Sequence, residues 1–274
     1  MTDDKLTTVA SGGAVVQFDY SQFEGSGFEN ASKKDLTTPY ILALQDLSKA
    51  TKSHEAAFVP GAKAGMFLNT GTRELTLGVA GFAMVPLHID HCVVEWTTDR
   101  KFVARHPVDS PIFAEAKVRF EANTAPDKSM AKDIKTPAGN SLVETYYLWT
   151  LLLDADGETP LGGAIVPFKS SNIKVYRKQV YTPLYSFKGA GGKLYPHRLR
   201  CTLVLEPSPK GASYNYSFSP LRGSIRDSLI DPGSPLMAVV YETYRQVVEG
   251  RAKMADEAVS DAAGDEAPRD EVFS

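Results

Sequence analysis

Two groups of residues in this chain have types and spacings that can do chemistry. The first interleaves positive charge with flat rings. Between Pro160 and Arg226 stand eleven basic residues, Lys169, Lys174, Arg177, Lys178, Lys188, Lys193, Arg198, Arg200, Lys210, Arg222 and Arg226, against one acid, Glu206. Nine aromatics share the stretch: Phe168, Tyr176, Tyr181, Tyr185, Phe187, Tyr195, Tyr214, Tyr216 and Phe218. Ammonium and guanidinium groups neutralise phosphates and release counterions, while an exposed ring stacks on an unpaired base for about 1–3 kcal/mol. A duplex hides the faces of its bases, so such a surface favours single strands without sequence readout. The candidate phosphate contacts are Lys169, Lys174, Arg177, Lys178, Lys188, Lys193, Arg198 and Arg200. Trp96, Trp149, Tyr195, Tyr214, Tyr216 and Phe218 are the candidate stacking residues, the last three alternating on one strand face. Tyr176 and Tyr181 fall on the apolar face of an expected helix and should be buried.

The second group is His88-Ile-Asp-His-Cys92, whose imidazole, carboxylate and thiolate are zinc-ligand types, with His197 and Cys201 available to complete a set. The spacing argues against a metal. On a strand His88 and Asp90 share one face and His91 points to the other, and no CxxC pair or HExxH helix is present. No GxSxG elbow is found, Gly189-Ala-Gly-Gly-Lys193 is too short for a phosphate-binding P-loop, and Cys92 and Cys201 read as small buried strand cysteines. Asp154 and Asp156 belong to a turn. The expectation is a binding protein without cofactor or catalytic residues, with a metal-dependent nuclease as the enzymatic alternative.

A net charge of −3 over 274 residues conceals a segregation of sign. From Arg251 onward three basic residues face seven acids, Asp256, Glu257, Asp261, Asp265, Glu266, Asp270 and Glu271, and the chain closes on Phe273 and Ser274. An acidic string carrying one ring can dock in a basic, apolar pocket of a partner or compete for the protein's own polyanion site. Asp265, Glu266, Asp270, Glu271 and Phe273 are its candidate partner contacts. Two cysteines cannot frame a disulfide scaffold, no leader-like segment opens the chain, and no apolar run reaches the roughly 20 residues of a membrane span. These features fit a cytoplasmic protein.

The elements that must position these residues are mostly extended. Residues 1–30 read as a loosely ordered arm with isolated rings at Phe18, Tyr20, Phe23 and Phe28. Ile41, Leu44 and Leu47 predict a short helix over Thr38 to Lys52. Leu75 to Trp96 reads as one long or bent strand interrupted at Pro86, and Phe102 to Ala104 extends the sheet. Leu142–Leu153 and Leu161–Phe168 form a hairpin about Asp154-Ala-Asp-Gly157, whose Asp-Gly step suits a positive φ. Ser171 opens a basic amphipathic helix with Ile173, Tyr176, Val180 and Leu184 on one face. Cys201–Leu205 and Ser213–Phe218 make a second hairpin, and Ser234-Pro235 starts a final helix that runs into the acidic tail. The domain organisation is therefore an arm over residues 1–30, one globular domain over 31–250 and a tail over 251–274. Mostly β with helices, an α+β chain with a helix inserted between groups of strands, matches the plan of an OB-fold-like five-stranded Greek-key barrel with an N-terminal extension and a C-terminal helix.

The chain also resembles bacteriophage-encoded single-stranded DNA-binding proteins, the helix-destabilising proteins of phage replication. The likeness lies in Pro60-Gly-Ala-Lys-Ala-Gly65 leading to Phe67-Leu-Asn69, in Val85-Pro86 followed by Val94-Glu-Trp96, in Ser170-Ser-Asn-Ile-Lys-Val-Tyr-Arg-Lys178, and in the acidic, Phe-bearing end. It spans most of residues 55 to 220. The resemblance implies an OB-type fold and binding to single strands without sequence choice. It also implies a host-cytoplasm setting and a tail that contacts polymerase or other replication proteins. A virion or assembly protein whose β-rich body packs on copies of itself is the rival reading, and self-association remains open under either.

Overall fold

The computed structural model describes residues 5–9, 15–19, 37–122, 134–170, 172–208, 211–250 and 252–254. The chain divides into two units, Met1–Leu36 and Thr37–Ser274. In the first, β1 (Lys5–Val9) pairs antiparallel with β2 (Val15–Asp19), from Lys5 opposite Asp19 to Val9 opposite Val15. The sequence assigned no element to this stretch.

The second unit is built on strands. They are β3 (Thr37–Thr38), β4 (Ile41–Ala43), β5 (Met66–Asn69), β6 (Leu75–Leu77), β7 (Phe82–Trp96) and β8 (Phe102–Pro107). Helix α1 (Pro111–Ala122) and the short β9 (Ile134–Lys135) precede the hairpin of β10 (Ser141–Leu153) and β11 (Pro160–Lys169). A helical segment follows: α2 (Asn172–Val175), a π-helical turn over Tyr176–Tyr181 and α3 (Thr182–Ser186). The second hairpin, β12 (Leu199–Ser208) with β13 (Gly211–Pro220), leads to α4 (Pro235–Val248) and β14 (Lys253–Met254). The main sheet runs β11-β10-β7-β12-β13, with β8 and β9 as side pairings, while β4-β5-β6 form a small sheet and β14 lies parallel to β3.

The two hairpins form as their patterns predict, and Gly157 takes φ +76 at the first turn, a conformation open to glycine without a Cβ clash. The expected barrel is not what forms, because the sheets are open. The five-strand path ends at β11 and β13, and the helical segment packs against both of those strands, as does β4. Tyr176, Val180 and Leu184 fill the space with Phe168, Tyr216 and Phe218, so side chains stand where a closing ladder would run.

Both faces of the sheet are covered. Along β10, Tyr146, Leu148 and Leu152 point to a core shared with the helical segment, and Tyr147, Trp149, Leu151 and Leu153 point to one shared with α4 through Leu236 and Val240. This explains why Leu148–Leu153 is apolar but for the buried Thr150, since a strand buried on both sides has no solvent face to alternate with. Each large side chain so buried stabilises the fold by about 1.5–3 kcal/mol relative to exposure.

Local readings differ from the structure at three places, the first being Leu75 to Trp96, which is not one strand: Leu75–Leu77 forms β6 in the small sheet and β7 of the main sheet starts at Phe82. The region of Thr38 to Lys52 is no helix; Ile41, Leu42 and Ala43 are consecutively buried in β4 against β5, a 3-10 turn covers Lys49–Thr51, and Leu47 faces solvent. Burial on two sides outweighs a three-residue spacing that only one helix face would satisfy. Helix α1, unread in the sequence, starts with Pro111 and buries little beyond Ala116 and part of Phe113 against Val93 and Leu142. So narrow an apolar contact leaves almost no periodic signal.

Candidate nucleic-acid interface

Trp96, Trp149, Tyr216 and Phe218 are buried and present no face to a base. Tyr216 and Phe218 do share a strand face, but the helical segment covers it, and Phe168 packs 5.4 Å from Tyr216 and 5.8 Å from Phe218. Trp149 spends its indole N–H on Asp90 at 2.6 Å, and Trp96 lies edge-on to Phe102 beneath the Lys169 ammonium, 4.8 Å from its ring. Tyr195 is half-buried against Tyr244, 4.6 Å away. Tyr214 is half-buried, and its backbone N–H and carbonyl are both held by the Gln45 amide at 2.9 and 2.7 Å.

Among the candidate cations, Arg198 is an internal clamp. It is buried, ion-paired to Glu158, and donates to the carbonyls of Gly157, Ser228 and Leu229, joining the first hairpin turn to the segment before α4. Glu158 also pairs with Arg222. Arg200 is half-buried and donates to the Ala80 carbonyl at 3.3 Å, and the exposed Lys193 stands 5.9 Å from the Tyr195 ring. Lys174, Arg177 and Lys178 are exposed on the helical segment, and Lys188 is exposed in the 3-10 turn that follows it. Lys210 and the tail contacts Asp265, Glu266, Asp270, Glu271 and Phe273 lie outside the described residues.

The exposed rings of this segment are not the stacking candidates: Tyr181, expected to be buried, is open to solvent, as is Tyr185. Pro183 has no N–H for the carbonyl of Gln179, four residues back, and the preceding N–H, that of Thr182, bonds instead to the Arg177 carbonyl, five back. This π turn places an extra residue in the helix. Tyr176, Val180 and Leu184 continue the buried face as expected, while Tyr181 and Tyr185 emerge beside it, 44% and 58% exposed. Gln179 fixes the turn to β13 by accepting the Phe218 backbone N–H at 2.7 Å.

A row of rings results. Tyr181 and Tyr185 are stacked, centroids 5.5 Å apart and planes 15° from parallel. Tyr176 lies 6.2 Å from Tyr181 and 5.3 Å from Tyr146, which stacks on the exposed His91 at 3.9 Å and 12°. The Arg177 guanidinium sits 5.5 Å from the Tyr146 ring and donates to its hydroxyl at 2.9 Å. That hydrogen bond, with the Glu144 carboxylate 3.6 Å away, raises the Arg177 pKa above its ordinary value. Burial pushes the Tyr176 phenol well up, so it stays neutral. Of these rings Tyr176 is buried, and the exposed Tyr181 and Tyr185 are the ones that can offer a stacking platform to an unpaired base.

On the other sheet face the His88 cluster is arranged by Pro86. The β10 register slips between Trp149, opposite His88, and Thr150, opposite Pro86, leaving Leu87 as the extra residue of a bulge next to a proline that cannot donate to the ladder. The bulge keeps Leu87 in the core and brings His88 and Asp90 onto the face of Trp149. Burial alone would raise the Asp90 carboxyl, but hydrogen bonds from His88 and Trp149, with the His88 and Arg105 charges, hold it below the usual value. As expected, His91 points to the opposite face, where it meets Glu144 at 2.7 Å. His197 is buried elsewhere with Phe187, and Cys201 lies in the other core. Among the described residues no three His, Cys, Asp or Glu side chains are grouped to hold a metal ion. No described helix is long and apolar enough to cross a membrane.

Compared with known proteins, residues 9–253 match a family model described as Pam3 phage gp34-like protein. No curated protein and no solved structure matches the chain.

Proposed function

The chain belongs to the Pam3 phage gp34-like protein family, and from that premise we propose that it binds single-stranded nucleic acid, DNA of phage replication or recombination, without sequence choice. The observation that carries this reading is the exposed Tyr181–Tyr185 stack on a helical segment whose Lys174, Arg177 and Lys178 are exposed as well. The binding surface is thus the exposed side of the helical segment, in place of the inner strand rings. Phosphates meet the cations, and unpaired bases stack on the tyrosines. Glu144, within 3.6 Å of Arg177, tempers the charge at that position.

The test is binding of a labelled single strand and its duplex over a salt series. The single strand should be preferred, and log affinity should fall linearly with log salt, at a slope of about −0.7 per phosphate contacted. Equal affinity for both forms, or a large self-assembly indifferent to oligonucleotides, overturns the proposal. Removal of residues 255–274 should raise affinity if the acidic tail competes for this surface. If affinity is unchanged, the tail is left as a contact for replication proteins such as polymerase.

A further inference from the structure

A cleft of about 540 Å³ opens on the α4 side of the sheet, lined among others by His88, Asp90, Arg105, Trp149 and Lys253. We infer that it binds the phosphate ester of a nucleotide, apart from the tyrosine surface on the opposite sheet face. Its volume is within the range of about 300–1,000 Å³ typical of small-molecule sites.

The fold builds this cleft from four separate pieces. The bulge beside Pro86 supplies His88 and Asp90, and β10 supplies Trp149. Strand β8 brings Arg105 opposite Val94, on the same sheet face. Gly250, at φ +66 just past the end of α4, lets the chain reverse and carry Lys253 back to the cleft along β3.

The donors and acceptors are fixed in advance. Asp90 accepts from Trp149 Nε1 at 2.6 Å through one oxygen and meets His88 Nε2 at 3.1 Å through the other. A carboxylate only accepts, so Nε2 carries the proton and Nδ1 is the remaining ring position. The Arg105 guanidinium donates to Tyr40 Oη at 3.0 Å and lies 5.4 Å from the Tyr147 ring and 5.8 Å from Phe102, which fixes its plane. Arg105 and Lys253 against Asp90 leave a net charge of +1 before His88 is counted. An anion bearing a hydrogen-bond donor satisfies all of these groups. In a nucleotide, the phosphate meets the guanidinium and ammonium, and a sugar hydroxyl or base amine donates to the open lone pairs of Asp90.

The phosphate can come from a free nucleotide or from a strand passing the cleft. Calorimetric titration of the full chain with inorganic phosphate, deoxyadenosine monophosphate and a thymidine homopolymer separates the two. The mononucleotide should bind saturably and more tightly than inorganic phosphate, and Arg105→Gln or Lys253→Gln should each weaken it by about tenfold, the loss of one charge-assisted contact. Lys253 is exposed at the end of a two-residue strand, so its variant tests the site without disturbing the core. Competition by the homopolymer marks the phosphate as the strand's, and additive binding marks it as the free nucleotide's. Absence of saturable mononucleotide binding, or affinity unchanged in Lys253→Gln, overturns the inference. A Tyr181→Ala/Tyr185→Ala variant that loses strand binding should retain the mononucleotide, which keeps the fate of this site distinct from that of the tyrosine surface.

Discussion

Tyr181 and Tyr185 stand one turn apart on the helical segment with their rings stacked at 5.5 Å and both half open to solvent. Neither is needed to fill the core beneath, which Tyr176, Val180 and Leu184 complete. The pair is therefore a place where function and stability can be separated by mutation.

Tyr181→Ala/Tyr185→Ala should weaken single-strand binding by about 10- to 100-fold, given about 1–3 kcal/mol per stacked base. Its thermal stability should change little, as for exposed positions generally. Phe218→Ala should do the reverse, costing about 3–5 kcal/mol of stability as a buried ring is deleted. Fluorescence anisotropy with an oligonucleotide and thermal melts on the same samples read both quantities. Equal losses of binding in the two variants, after correction for folding, count against the assignment.

Lys174→Gln and Lys178→Gln should each lower the slope of log affinity against log salt by about 0.7, the value for one lost single-strand phosphate contact. Arg200→Gln should leave the slope unchanged, since its guanidinium is turned to the Ala80 carbonyl. The measurement is a salt titration of each variant at constant pH.

Arg198→Ala should destabilise the fold by about 3 kcal/mol, because it strips a buried guanidinium from Glu158 and leaves the carbonyls of Gly157, Ser228 and Leu229 without that donor. Glu158→Gln should cost less, since this carboxylate is half exposed and its pairing is screened by water. Denaturant unfolding compares the two.

His197 is fully buried, and burial lowers its pKa below the ordinary 6.5, only partly offset by the nearby Ile225 backbone; neither ring nitrogen has a well-formed hydrogen bond among the described residues. The folded state therefore binds a proton less readily than the unfolded chain. Its stabilising effect is complete above 6.5 and is lost as pH falls through that value toward the depressed one. His197→Leu should flatten this part of the stability–pH curve, measured by denaturant melts between pH 7 and pH 5. An unchanged slope would exclude His197 as the source.

What the sequence determined by itself was local. Alternation and turn chemistry gave the hairpins β10–β11 and β12–β13, the Ser234 cap that accepts the Met237 N–H at 3.2 Å, and the buried face Tyr176-Val180-Leu184. The segregation of charge located a basic helical segment, on which Lys174, Arg177 and Lys178 are exposed. Which rings face water was decided only in three dimensions. A strand position is inner or outer according to what covers each sheet face, and covering both faces took Trp96, Trp149, Tyr216 and Phe218 out of reach. The proline-induced π turn then moved Tyr181 out of the expected helix face, and the bulge at Pro86 joined His88 to Asp90 and Trp149 across the β7–β10 pairing. Such one-residue shifts depend on hydrogen bonds that a missing N–H diverts and on long-range packing that selects among the alternatives, so they leave no periodic trace in the chain.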